Sequence, residues 1–191
     1  VQCDLSSPNE IEPSFGYPVY EKKIISSGSR SQRIAFNFEE LQNYWQSGFI
    51  VEKNIEGKEF SIESFVQNGH ILFTNITTYH KHHVSNIVPG VFNEQDRKRI
   101  LDFNSKIIQI FKVQNGLSHV ECFLQDNQIL FGEIAIRPPG GFLMKLIEKS
   151  YGFEPWAEYF KLFLNQPVNP KPNSTGYSSV WILHPGEGKV K

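Results

Sequence analysis

SHVECFLQDNQILFGEIAIRPPGG, residues 118–141, holds two apolar stretches on either side of Asp126-Asn127, the pattern of a β-hairpin. Side chains alternate between faces along a strand. Val120, Cys122 and Leu124 therefore share one face of the first strand, and His119, Glu121 and Phe123 the other. On the second strand Leu130, Ile134 and Ile136 form the apolar face, opposite Phe131, Glu133, Ala135 and Arg137. The apolar sets coincide if a three-residue loop, Asp126 to Gln128, joins the strands. That register sets Glu121 directly against Glu133. Like charges facing each other across a pair destabilise it unless something lies between them. Hard carboxylate oxygens suit a divalent cation, Mg²⁺ or Mn²⁺. The alternative is an ordinary Glu pair on a solvated outer face.

Working outward, 191 residues with 39% apolar content support one compact core or two lobes. A net charge of −1 gives no bulk electrostatic case for nucleic acid. No apolar run approaches a membrane span. Val1 to Phe15 is polar and Pro-bearing, without the pattern of a secretion signal. Neither nucleic acid nor a membrane is therefore expected as a partner, and a cytoplasmic setting is. Cys3 and Cys122 lack a metal or redox spacing and read as reduced thiols. Asn75-Ile-Thr77 and Asn173-Ser-Thr175 match the glycosylation pattern, and in that setting read as chance.

The order of elements is regular. Tyr17 to Ile25 reads as a strand, Ser26 to Ser31 as a small-residue loop and Arg33 to Phe36 as a second strand. Asn37 with Glu40 three residues on is a capping box, opening a helix that ends near Gly48. Phe49 to Lys53 and Lys58 to Val66 read as strands. Asn68-Gly69 is a hairpin turn into a strand from Ile71 to about Thr78. A loop with Pro89-Gly90 leads to a helix from about Glu94 to Gln114, whose Ile100, Leu101, Ile107, Ile108 and Phe111 recur at core spacing. The hairpin follows, then two helices, Gly141 to Ser150 and Pro155 to Leu164, and a loop-like stretch from Gln166 to Lys191. A mostly antiparallel sheet with helices packed on one side makes an α+β domain.

The loop SSGSRS, residues 26–31, follows a strand bearing Lys22 and Lys23. Backbone N–H groups of small residues can surround phosphate oxygens, although the same stretch also suits a tight turn. A polyphosphate, a covering loop and a carboxylate-bound divalent ion are parts that nucleotide chemistry uses together.

These residues resemble the ATP-grasp ligases, specifically their carboxylate–amine ligase branch, from about Gly16 to Gly152. FGYPVYEKKIISSGSRS is similar to the family's strand ending in a Lys, followed by a glycine- and serine-rich loop over the triphosphate. FIVEKNIEGKEFSIESF is similar to the hinge that holds adenine and ribose. GLSHVECFLQDNQILFGEIAIRPPGG is similar to the metal hairpin and the Arg-bearing turn after it. The resemblance implies an ATP-grasp fold: an extension over 1–15, part of the lid lobe and hinge over 16–55, the core lobe over 56–165, and a tail over 166–191. It places Lys22 on nucleotide phosphate and adenine N7, and makes Ser26, Ser27, Gly28 and Ser29 the start of the phosphate lid. It gives Glu52 the adenine amino group, the backbone from Lys53 to Ile55 the adenine edge, and Glu59 the ribose hydroxyls. Glu121 and Glu133 would bind Mg²⁺, and Arg137 would face the substrate carboxylate or its acyl phosphate beside Gly140-Gly141. His80 is placed near the nucleotide. His82 and His83 are left open between a metal cluster and a polar loop. The residues by themselves leave Lys22 open to a surface ion pair, Glu59 to a solvated strand face and Arg137 to a capping or surface role.

The implied chemistry is two-step: ATP phosphorylates a small carboxylate, and an amine or amino acid displaces phosphate. The resemblance also leaves room for a homodimer. Ala135 stands where the family has an Asn, and Ser31 where the loop has its second Gly. The family's N-terminal domain and first nucleotide Lys have no counterpart ahead of Gly16. The sequence thus reads as a fragment of a ligase, weak or inactive alone, or as a degenerate module that binds nucleotide without turnover.

Overall fold

The computed structural model describes residues 3–4, 16–25, 32–45, 48–81 and 84–183. The chain divides into two compact units, Val1–Glu56 and Gly57–Lys191.

The first unit is a four-stranded antiparallel sheet in the order β1-β4-β2-β3: β1 (Cys3–Asp4), β2 (Val19–Lys23), β3 (Gln32–Ala35) and β4 (Phe49–Lys53). Val19, Ala35 and Val51 form its buried core with Leu41 of α1 (Phe38–Tyr44). The expected capping box is present. Asn37 accepts from the Glu40 amide at 2.9 Å, and Glu40 reaches back to the Phe36 amide at 2.9 Å. The helix stops at Tyr44, one turn short of the expected end near Gly48.

Glu21 lies on the buried face of this sheet, 1% exposed, and its Oε1 has no hydrogen-bond partner. Burial pushes its carboxyl up from the usual 4.5, and Arg33, opposite it on β3, only partly offsets this. A folded-state value above the unfolded one means that stability is lost as pH rises from about 4.5 through the raised value. Glu21→Gln is therefore expected to gain on the order of 1 kcal/mol at neutral pH and nothing at about pH 4, measured by denaturant unfolding. An equal gain at both pH values would contradict the titration.

The second unit is a six-stranded antiparallel sheet: β5 (Lys58–Gln67), β6 (His70–Lys81), β7 (Ser85–Val88), β8 (Gly116–Gln125), β9 (Gln128–Ile136) and β10 (Ser178–Trp181), in the order β10-β7-β6-β5-β8-β9. One face buries Phe60, Ile62, Ile76, Val120 and Cys122 against Ile100 and Ile107 of α2 (Glu94–Ile110). The other face buries Phe65, Phe73 and Leu117 against α3 (Leu143–Tyr151) and α4 (Pro155–Phe163). The α+β class stands, but the helices cover both faces rather than the one expected. Alternation explains why: Phe65, Phe73 and Leu117 share a face with Glu63, Asn75 and His119, leaving a second apolar area beyond the polar one.

Three strands lie outside the sequence reading: β1, β7 and β10. β7 is short, and β10 lies within the stretch read as loop, pairing Ser178–Trp181 with Ser85–Val88 at the sheet edge. Phe111 is half-exposed and stacks on Phe131, so it is not the core residue that the helical spacing implied.

The hairpin β8–β9 meets the expected register only from Glu121 away from the turn; nearer the turn Leu130 pairs with Phe123 and Phe131 with Cys122, so these two side chains take the faces opposite to those expected. Its loop has two residues, Asp126 and Asn127, both with positive φ, and Gln125 pairs with Gln128. Positive φ at both central positions matches the right-handed strand twist. A bulge between Glu121 and Cys122 then shifts the pairing by one residue. Glu121 faces Glu133 after all.

Candidate functional site

In the second unit the polar face of the sheet carries a connected hydrogen-bond network. Glu63 is fully buried. Its Oε1 accepts from Ser61 Oγ at 2.6 Å and meets His119 Nδ1 at 3.0 Å. Its Oε2 accepts from Asn75 Nδ2 at 2.6 Å and Thr77 Oγ1 at 2.8 Å. Tyr79 donates to Ser61 at 3.0 Å, and Tyr151 donates to Asn75 Oδ1 at 3.1 Å. Burial and the nearby Glu63 charge push the Tyr79 hydroxyl up, so it remains a donor. The network satisfies a buried carboxylate, which is what keeps such a group tolerable in a core.

His119 links this network to the hairpin. Its Nε2 lies 3.2 Å from Glu121 Oε1, while Nδ1 faces Glu63. A carboxylate oxygen at each ring nitrogen is satisfied only by the doubly protonated ring. Burial alone would lower the imidazole, but the hydrogen bonds and charges of Glu121 and Glu63 outweigh it and raise it to about 9. The Glu121 side chain is 32% exposed, and Glu133 is exposed opposite it. Among the described residues no group of three or more His, Cys, Asp or Glu is arranged to hold a metal.

Glu59 and His80 come together in this unit, lining a pocket of about 520 Å³ with Gly57, Lys58, Thr78 and Tyr79. Arg137 is exposed beyond the end of β9 and donates to the Pro138 carbonyl at 2.9 Å. Gly141, with φ +61, continues the turn. Cys122 lies on the apolar face as alternation required, its thiol pushed up to about 12 by burial.

In the first unit Lys22 Nζ and Glu52 Oε2 form an ion pair of 2.6 Å, both side chains partly exposed. The β2–β4 register puts them with Tyr20 and Ile50 on the face opposite Val19 and Val51. The surface pair left open for Lys22 is thus what the ligand-free chain makes. Lys53 is exposed and Ile55 half-buried, while the Asn54 amide between them donates to the Pro18 carbonyl at 3.3 Å. Ser26, Ser27, Gly28 and Ser29, with the rest of the loop to Ser31, lie outside the described residues, as do His82 and His83.

The sequence reading does not place Ser61, Glu63, Asn75, Thr77 or Tyr79 in the site, and meets Asn75 and Thr77 only as a chance glycosylation match. The signal was available: Glu59, Ser61 and Glu63 alternate on β5, and Asn75, Thr77 and Tyr79 on β6. His119 was already assigned to the Glu121 face, and only its buried partner was missing.

An ATP-grasp domain profile matches residues 28–145. The chain belongs to the ATP-grasp family. It is 27% identical to the L-arginine-specific L-amino acid ligase of Bacillus subtilis, over 87% of this chain and 46% of that protein. The ATP-grasp fold recurs in the crystal structure of L-amino acid ligase from Bacillus licheniformis, with a TM-score of 0.75 at 19% identity over 98% of this chain and 50% of that one. It recurs also in the biotin carboxylase domain dimer of Hydrogenobacter thermophilus 2-oxoglutarate carboxylase, solved with MgADP, ADP and bicarbonate. That match has a TM-score of 0.73 at 18% identity, over 86% of this chain and 41% of that one. The chain spans about half the length of these relatives. Among the described residues no helix is long and apolar enough to cross a membrane.

Proposed function

We propose that the chain is the nucleotide-holding part of an ATP-dependent carboxylate–amine ligase. The observation that carries this is the pairing of Glu121 with Glu133 across β8 and β9, in a chain of the ATP-grasp family. Two facing carboxylates fit Mg²⁺ or Mn²⁺, because these cations take one or two protein carboxylates and complete their shells with phosphate oxygens and water. That fit does not call for a third acidic or imidazole ligand. When bound, the cation offsets negative charge on the phosphates.

The same reading gives individual residues their roles. Lys22 serves the phosphates and Glu52 the adenine amino group, which requires their mutual ion pair to open. Glu59 and His80, in one pocket, serve the ribose side. Ser26, Ser27, Gly28 and Ser29 cover the phosphates, and the backbone from Lys53 to Ile55 reads the adenine edge. Arg137 orients the carboxylate and its acyl phosphate. An oxygen of the carboxylate attacks the γ-phosphorus, the bond to the β,γ-bridging oxygen breaks, and ADP leaves with that electron pair. The amine then attacks the acyl carbon, inorganic phosphate departs and the nitrogen loses a proton. The protein's part is positioning and charge neutralisation, which fits a buried Cys122 with a raised thiol that no step uses. A cytoplasmic setting goes with ATP consumption and an unpaired buried thiol.

The test is ADP release by the 191-residue chain and by the complete gene product across a panel of amino acids and small carboxylates. Turnover that requires both a carboxylate and an amine supports the ligase. The expected pattern is weak release from these 191 residues and strong release from any longer product, because in-line positioning needs both walls of a cleft. Nucleotide binding with no turnover from the complete product would favour the degenerate module instead.

A further inference from the structure

We infer that His119, anchored by Glu63, is a positioning residue that fixes the Glu121 carboxylate for a small divalent cation and so selects Mg²⁺ or Mn²⁺ over Ca²⁺. The inference rests on the nucleotide reading above and adds a residue pair to it. Glu121 stands on a strand with its side chain 32% exposed, an environment that by itself leaves several rotamers open. His119 removes that choice by engaging Glu121 Oε1 at 3.2 Å. The ring cannot follow a wandering carboxylate, because its other nitrogen is held at 3.0 Å by Glu63. Glu63 cannot move either: it is fully buried, and Ser61, Asn75 and Thr77 hold its two oxygens at 2.6 to 2.8 Å. The chain of constraint runs from three strands, β5, β6 and β8, to one oxygen of Glu121.

Rigidity matters because the two classes of cation differ in what they tolerate. Mg²⁺ demands near-octahedral geometry at short distances, whereas Ca²⁺ accepts more ligands in flexible arrangements. A carboxylate pinned through one oxygen suits the first and hinders the bidentate binding that the second favours. Partners one step behind a metal ligand are worth about 10- to 100-fold in metal affinity. His119 is such a partner for a carboxylate ligand.

The experiment measures calorimetric ATP binding as a function of Mg²⁺, Mn²⁺ and Ca²⁺ for the wild type, His119→Gln, Glu121→Gln and the double variant. In His119→Gln the half-saturating Mg²⁺ is expected to rise about 10- to 100-fold, the preference over Ca²⁺ to narrow, and ATP affinity at saturating Mg²⁺ to stay unchanged. In the Glu121→Gln background, the same change should add nothing. A merely structural role would instead lower ATP affinity at all metal concentrations and in both backgrounds, and that result overturns the inference. Since His119→Gln leaves Glu63 without one partner and can fail to fold, ¹⁵N-imidazole NMR of the wild type supplies a second reading. Mg·ATP should perturb the Nε2 resonance more than Nδ1, and equal or absent perturbation counts against the role. Wild-type ATP binding indifferent to Mg²⁺ overturns the nucleotide reading and this inference with it. Mg²⁺-dependent wild-type binding with an unshifted His119→Gln overturns this inference alone.

Discussion

Glu133→Ala should abolish the dependence of ATP binding on divalent cation, with Mg·ATP affinity falling by at least about 100-fold, since partners one shell further out already cost about 10- to 100-fold at metal sites. The expectation follows from the pairing. Glu121 and Glu133 oppose each other directly across the hairpin. Glu133 is exposed, so its removal should change thermal stability by no more than about 0.5 kcal/mol while nucleotide binds far worse. Lost binding at nearly unchanged stability separates a metal ligand from a structural carboxylate. Calorimetry with and without Mg²⁺, alongside thermal unfolding, reads both. A variant that loses stability and keeps Mg²⁺-dependent binding would contradict the assignment.

Gly132→Val should destabilise the second unit by about 1–3 kcal/mol, the usual cost of forcing extra atoms into a packed site. A Cβ at position 132 would lie 2.9 Å from the Glu121 carbonyl oxygen and 3.2 Å from a ring carbon of Phe123. The first contact is backbone and cannot rotate away. Gly132 adjoins the bulge that shifts the register between Cys122↔Phe131 and Glu121↔Glu133. Losing the bulge would slip the hairpin by one residue, and a one-residue slip sends every side chain to the other face. The variant should therefore lose Mg²⁺-dependent ATP binding together with stability. Gly176→Ala is the control, because nothing lies within 4 Å of a Cβ there. A stable Gly132→Val with native Mg²⁺ dependence would show that the bulge does not set the carboxylate pair.

Much of this architecture was legible because local signals agreed with one another. Asn68-Gly69 and Asp126-Asn127 mark hairpins, Asn37 with Glu40 caps α1, and β4 spans Phe49–Lys53 as its pattern implies. What stayed hidden is non-local. The pairing of β10 with β7 joins Ser178–Trp181 to residues some ninety positions earlier, and no short-range pattern encodes that. The loop length is hidden because the bulge compensates for it: from Glu121↔Glu133 onward a two-residue turn plus one shifted pair gives the same facing residues as a three-residue loop, and only the pairs between bulge and turn differ. The placement of α3 and α4 on the second face escaped for a related reason. Phe65, Phe73 and Leu117 continue the alternation that carries Glu63, Asn75 and His119, so one strand face is polar along part of its length and apolar along the rest. The facing carboxylates were readable from alternation alone. The buried anchor behind them needed the alignment of β5, β6 and β8, which sequence spacing does not supply.

The most direct measurement is a calorimetric titration of the 191-residue chain with ATP, repeated with GTP, in Mg²⁺ and in chelator. The roles proposed for Glu59, Glu121 and Glu133 in the second unit, and for Lys22 and Glu52 in the first, predict saturable ATP binding in Mg²⁺, a loss of affinity in chelator, and weaker GTP binding because guanine presents no amino group where Glu52 is proposed to accept one. Equal affinity for ATP and GTP, or ATP binding that is the same with and without Mg²⁺, would contradict it.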